Sequence, residues 1–193
     1  MTVTAHSTLV RLLALLLILS ASTGRAEETL RIAVAANFRQ VLAKASEAFE
    51  QETGIRVRLS SASTGVLYTQ ILHGAPFDLF FAADRKTPER LATADRPSRC
   101  YARGRLVLAG GSGRLDALAD PDLSLAIANP ATAPYGRAAL AVLDRAEFQT
   151  GRTRKLLTGS NVVQAYQFWH SGGADLALVP RSLAPKATLI PEA

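Results

Sequence analysis

Beyond the N-terminal region, three sets of side chains carry reactive groups: the hydroxyl run Ser60-Ser61-Ala62-Ser63-Thr64-Gly65, two histidines, His73 and His170, and Asp78 and Asp84 on either side of an apolar run. Nucleophilic catalysis needs a hydroxyl or thiol, a base within hydrogen-bond reach and a group that orients the base. Ser63 or Thr64 would open a predicted helix that His73 closes, which separates nucleophile and base by about 13 Å at about 1.5 Å per residue. Both histidines precede glycine at a predicted helix end, where an imidazole suits the negative end of the dipole. Asp84 reads as a helix cap and Asp78 as a solvated strand edge, and neither has a histidine at metal-ligand spacing. No catalytic residue is assigned, and an exported Ser/Thr hydrolase is kept only as the alternative from another function class.

The remaining polar residues recur at one kind of place, a strand end that runs into a helix start. Ala35-Ala36-Asn37-Phe38 follows the strand-like Leu30–Val34 and precedes a helical stripe of Phe38, Val41, Leu42, Ala45 and Phe49, which predicts Asn37 as an N-cap. Ser63-Thr64-Gly65 ends a strand around 55–59 and opens a helix through Val66, Leu67, Ile71 and Leu72. Ala133-Pro134-Tyr135-Gly136 and Ser160-Asn161-Val162 repeat the pattern later in the chain. Free N–H groups at helix starts and small hydroxyls suit an oxyanion, and several neutral donors together can hold a dianion without a counter-ion. No Gly-Lys-Ser/Thr ending accompanies the hydroxyl run, which argues against a nucleotide P-loop.

The elements that would position these junctions alternate strand and helix. Residues 77–84 read as a buried parallel strand, Thr87-Pro88-Glu89 as a helix start, and 105–109, 123–128, 155–157, 174–179 and 188–190 as further strands. Gly110-Gly111-Ser112-Gly113 marks the passage between two lobes, predicted at 27–109 and 110–193. Ligands of such α/β layers sit beyond the carboxyl ends of the strands, where all four junctions fall.

Arg11, the apolar run Leu12–Leu19 and the small residues around Arg25 read as a secretory signal peptide over residues 1–26. Its removal would take away two arginines and no acid, lowering the net charge from +6 to +4. The remaining arginines are scattered without interleaved aromatics, so no nucleic-acid partner is expected. Cys100, the only cysteine, excludes an intramolecular disulfide and reads as a half-buried small residue.

Taken together, Ala-Ala-Asn-Phe at 35–38, Ser-Ser-Ala-Ser-Thr-Gly at 60–65, Gly-Ala-Pro-Phe-Asp-Leu-Phe-Phe-Ala-Ala-Asp at 74–84, Ala-Asn-Pro with Ala-Pro-Tyr-Gly at 128–136 and Asn-Val-Val-Gln-Ala at 161–165 resemble the periplasmic molybdate-binding proteins of ABC transporters. The resemblance covers about residues 29–190. It implies an α/β, two-lobed type II periplasmic binding protein fold, each lobe a mixed sheet flanked by helices. It also implies a periplasmic, monomeric, non-enzymatic protein that binds molybdate or tungstate between its lobes, uses no cofactor and delivers its cargo to a membrane permease. Carried over by motif, the ligand contacts are Asn37 with the amide of Ala36, the hydroxyl and backbone donors of Ser63 and Thr64, and the backbone N–H groups of Tyr135 and Val162. One subgroup of the family has a ligand tyrosine where this chain has Pro180, which offers neither hydroxyl nor N–H. Family members continue into a segment that returns to the first lobe. Its absence here is the expectation behind a second reading, a shortened, non-transporting remnant.

Overall fold

The computed structural model describes residues 28–191; the proposed signal peptide at 1–26 lies outside them. β1 (Thr29–Ala35) lies between β2 (Arg56–Ala62) and β3 (Leu79–Phe81) in a three-stranded sheet in which both pairings are parallel. The expectation was a mixed sheet in each lobe, whereas every described strand pair of the first sheet is parallel. α1 (Arg39–Thr53) follows β1 and stops at Gly54, whose φ of 71° takes a left-handed turn and lets its N–H cap Glu50. α2 (Thr64–Leu72) follows β2, and α3 (Lys86–Glu89) follows β3. β2 runs past the predicted end at Leu59 because Ser60, Ser61 and Ala62 pair with Ala33, Val34 and Ala35. Ile32, Val34 and Leu42 form the core of this layer with Phe38, Leu59 and Phe81 packed against them.

The second sheet has the order β6-β5-β7-β4-β8, built from β4 (Leu106–Gly110), β5 (Leu125–Ala128), β6 (Leu156–Gly159), β7 (Leu176–Pro180) and β8 (Thr188–Leu189). β5 is parallel to β6 and β7, while β4 is antiparallel to β7 and β8. α4 (Pro134–Leu143) follows β5 and α5 (Val162–His170) follows β6. β4 was expected to close the first lobe, but its pairing makes it an inner strand of the second sheet. The chain therefore crosses between the layers in the segment 82–105, irregular apart from α3, before the glycine run at 110–113 that marked the passage in the sequence. Cys100 lies in this segment and is exposed, against the expectation of half-burial, because no sheet packs there.

Side-chain size alternates along the central strands of the second sheet. Leu125, Ile127, Leu176 and Leu178 face a bulky core with Leu118, Val142 and Phe148, whereas Ala126, Ala177 and Val179 face Ala165 of α5. Bulk on one face fills the space under α4 and the 3-10 helices at 115–119 and 146–153, and small residues on the other let α5 approach closely. Each leucine so buried contributes about 1.5–3 kcal/mol, enough to fix the register on which the α5 start depends.

Candidate functional site

Register decides which helix starts become neighbours. Ala35 is paired with Ala62 at the ends of β1 and β2, and Ala128 with Gly159 at the ends of β5 and β6. The turns that follow therefore stand side by side, Asn37 beside Ser63 in one layer and the Ala133–Tyr135 segment beside Asn161–Val162 in the other. The two pairs meet across the layers: Ala36 packs with Ala128, Ala133, Tyr135 and Val162 in one buried cluster.

At the first junction the expected cap is not made. Asn37 sits in a turn, Phe38 is the N-cap in a helical conformation, and no side chain caps α1. The Phe38 N–H closes the turn on the Ala35 carbonyl at 2.9 Å, which displaces the helix start by one residue and leaves the Asn37 side chain out of capping range. Ala36 donates its N–H to Ala62 at 3.0 Å, so the amide expected to face an anion extends the β1–β2 pairing instead. The Asn37 N–H has no acceptor among the described residues. The turn is anchored by rings: Phe38 lies 4.9 Å from Tyr101 and 5.9 Å from Phe81 between centroids, and the Tyr101 hydroxyl donates to the Ala82 carbonyl at 2.8 Å. Burial, with smaller contributions from neighbouring Tyr135 and Cys100, pushes the Tyr101 phenol up to about 12.

The second junction carries an unsatisfied group. Ser63 is the extended N-cap of α2 and is 5% exposed, yet its Oγ caps nothing and has no hydrogen-bond partner among the described residues. A buried hydroxyl without a partner costs about 1–3 kcal/mol, and such a group in a native fold calls for an explanation. Thr64, 1% exposed, accepts the Ala83 N–H on its Oγ1 at 2.9 Å, which leaves its hydroxyl proton to give. Gly65 reaches across the layers: its N–H donates to the Thr132 carbonyl at 2.8 Å.

In the second layer the capping differs between the two helices. The Asn161 side chain caps α5 by accepting from Val163 at 2.9 Å and Gln164 at 3.3 Å, while Gln164 Oε1 accepts the Ser160 N–H. This leaves the Val162 N–H with no acceptor among the described residues. α4 starts from Ala133, which has no side chain to cap with, and Pro134, which has no N–H, so the Tyr135 N–H is likewise unclaimed. The Tyr135 ring turns away from this end and lies against Gly104, where an added Cβ would meet its hydroxyl. Burial raises the Tyr135 phenol above its ordinary value.

Charge follows the same plan. None of α1, α2, α4 and α5 has an acid in its first turn, whereas α3 and the 3-10 helices at 115–119 and 146–153 carry Glu89, Asp116 and Glu147 there. These three carry the usual acid at their positive ends, whereas the helices at the junctions leave the dipole uncompensated, as an anion seat requires. Two more polar contacts tie the layers together. Arg137 of α4 pairs with Asp84 at 2.7 Å, while Asp84 also accepts the Thr87 N–H at the start of α3, and Ser182 Oγ donates to the Asn37 carbonyl at 3.1 Å.

The other sequence candidates lie elsewhere. His73 donates from Nδ1 to Thr69 at the end of α2, His170 stacks on Tyr166 at the end of α5, and Asp78 accepts the Arg31 N–H at the sheet edge. Among the described residues no group of three or more His, Cys, Asp or Glu could hold a metal ion. Tyr101, Ser182 and the Asp84–Arg137 pair were not singled out by the sequence reading. The first two sit in irregular segments without periodicity, and the pair joins residues 53 positions apart.

A sequence profile of the bacterial extracellular solute-binding protein family matches residues 30–192, nearly all of the described chain. The chain belongs to this family. Within it, the molybdate-binding protein ModA of Azotobacter vinelandii is 40% identical over 162 residues, which cover 79% of this chain and 64% of that protein. The ModA of Rhodobacter capsulatus is 34% identical over 178 residues, 88% of this chain and 71% of the relative. The chain thus spans about two-thirds of the length of these solute-binding relatives. Its fold is that of the periplasmic binding proteins: the solved structure of the periplasmic molybdate-binding protein of Azotobacter vinelandii matches with a TM-score of 0.73 and 33% identity, covering 84% of this chain and 79% of that one. Among the described residues no helix is long and apolar enough to cross a membrane.

Proposed function

We propose that this protein is the periplasmic binding component of an ABC transporter, taking up molybdate or tungstate between its two layers and handing it to a membrane permease. The observation that carries the reading is the Ser63 hydroxyl, buried and unpartnered at a junction where acid-free helix starts from both layers meet. A tetrahedral dianion would accept from Ser63 Oγ, the Thr64 hydroxyl and the N–H groups of Asn37, Tyr135 and Val162. Each such charge-assisted bond contributes about 1.5–3 kcal/mol, and the four helix dipoles add to the same sign. Ala36 shapes the wall and gives its N–H to the sheet.

The role is binding. Donors without a charged partner hold the oxyanion through direction and number, and the absence of a salt bridge to the cargo eases its release. Contacts from both layers favour the closed arrangement over an open one, so closure reports occupancy to the permease. The protein acts as a monomer, with no cofactor and no nucleic-acid partner. Calorimetric titration with molybdate, tungstate, sulfate and phosphate tests this: one saturable site for the first two supports it, and no heat from either with a folded protein overturns it.

A further inference from the structure

A groove between the two layers is separate from the seat just proposed. It has a volume of about 390 Å³ and is lined by Arg39 and Ser61 with Ala36 on the first-layer wall, and by Asn161, Gln164 and Gln167 on the α5 wall. Ser160 and Val163 complete it. Of the residues assigned to the oxyanion only Ala36 borders it; Asn37, Ser63, Thr64, Tyr135 and Val162 do not. A volume of this order is that of a small organic ligand, since ligand pockets run from about 300 to 1,000 Å³.

The groove's chemistry is one-sided. No acid lines it, and its polar side chains, one guanidinium with amides and hydroxyls, can all donate. Arg39 makes no ion pair with any described residue, although it is the first residue of α1, where a cation adds to the positive end of the dipole instead of offsetting it. On the opposite wall the Asn161 and Gln164 carbonyl oxygens are occupied by the α5 cap and by the Ser160 N–H; the Asn161 NH₂ donates to Ser160 Oγ at 3.4 Å, and the Gln164 NH₂ is left to donate. Gln167 and the Ser61 hydroxyl have no partner among the described residues. A planar guanidinium fork facing amide donors fits carboxylates, which accept in parallel pairs from such groups.

We propose that this groove is a second anion site, distinct from the oxyanion seat, for a small dicarboxylate. One carboxylate meets Arg39 and Ser61, and the other meets the amides of Gln164 and Gln167. Because its walls come from both layers, its occupant bridges them.

Succinate is the probe, chosen because its carboxylates can span two walls, with acetate and inorganic sulfate as controls. Titrated calorimetrically into the full chain, succinate should give a saturable signal that acetate and sulfate do not, and that persists when the protein is saturated with molybdate. Arg39→Gln and Gln167→Glu should each weaken succinate by at least about tenfold, while molybdate affinity stays within about twofold at physiological salt. Ser63→Ala should do the reverse. Both test positions are exposed, and circular dichroism of each variant confirms that it folds. An Arg39-dependent succinate signal in a chain that ignores molybdate supports the groove and overturns only the seat. No saturable succinate signal, full competition by molybdate, or indifference to Arg39→Gln overturns the groove.

Discussion

Gly65→Ala separates the closure of this protein from its folding. The Gly65 N–H lies 2.8 Å from the Thr132 carbonyl of the opposite layer, and a Cβ on residue 65 would stand 2.8 Å from that same oxygen and 3.1 Å from the Thr132 Cα. An ordinary contact of this kind is about 3.4 Å or more, so the layers must part by about 0.6 Å at this point. The hydrogen bond would lengthen to about 3.4 Å and be lost, at about 0.5–1.5 kcal/mol, and residual overpacking adds about 1–3 kcal/mol. Both penalties fall on the arrangement in which the two layers touch, which the proposed function takes as the bound one. At about 1.4 kcal/mol per decade, molybdate affinity should drop by about tenfold to several hundredfold. The unliganded fold gains instead: residue 65 lies in the first turn of α2 and has no positive φ, so alanine favours the helix by about 0.5–1 kcal/mol. Thermal melting with and without molybdate reads both effects. The melting temperature should hold or rise without ligand, and the upward shift given by molybdate should shrink. A Gly65→Ala protein that binds molybdate as the parent does would refute the claim that the bound state brings Gly65 against Thr132.

Ser63→Ala should weaken molybdate about tenfold to a hundredfold by calorimetry while leaving the melting temperature unchanged or higher, because it also removes a buried unpartnered hydroxyl. Val162→Pro deletes one N–H at the first helical position, where proline is tolerated, and Asn161 before it is already extended at φ −154° and ψ 177°; a folded variant with at least about tenfold weaker molybdate binding is expected. Asn37→Asp should abolish molybdate binding by placing a negative charge beside the dianion, with no change in helix content, since the side chain caps nothing. Tyr101 titrates near 10 when unfolded and at about 12 when folded, because burial disfavours the phenolate. Its contribution is therefore complete below about pH 10 and lost as pH rises toward 12, so melting temperature should fall more steeply over that window in the parent than in Tyr101→Phe.

Much of the proposed site could be read from the sequence because its parts are local. A strand end followed by a capping or small residue and an apolar helical stripe marks each junction within about ten residues, and Ser63-Thr64-Gly65, Pro134-Tyr135-Gly136 and Asn161-Val162 lie where such patterns put them. Of the caps expected at Asn37 and Asn161, only the one at Asn161 is made. Both residue types fit, but only Asn161 keeps the extended backbone that lets its side chain turn back on the helix, whereas the Ala35–Phe38 turn delays the start of α1. The sheet to which β4 belongs could not be read locally. Arg105–Ala109 is apolar enough for either layer, and its place is decided by pairing with Leu176–Pro180, some seventy residues on. The fate of the Ala36 N–H was hidden for the same reason: it depends on β2 extending to Ala62. The polar ties between layers, Arg137 to Asp84 and Ser182 to Asn37, join segments that no periodicity connects.

The central claim is that neutral donors from both layers hold a tetrahedral dianion, and a crystal structure of the molybdate complex with the anomalous signal of the metal tests it most directly. The account predicts one molybdenum peak whose oxygens lie about 2.7–3.1 Å from Ser63 Oγ, the Thr64 hydroxyl and the N–H groups of Asn37, Tyr135 and Val162, with no lysine or arginine in contact. A peak beside Arg39 in the α1–α5 groove, or one held by a cationic side chain, would contradict it.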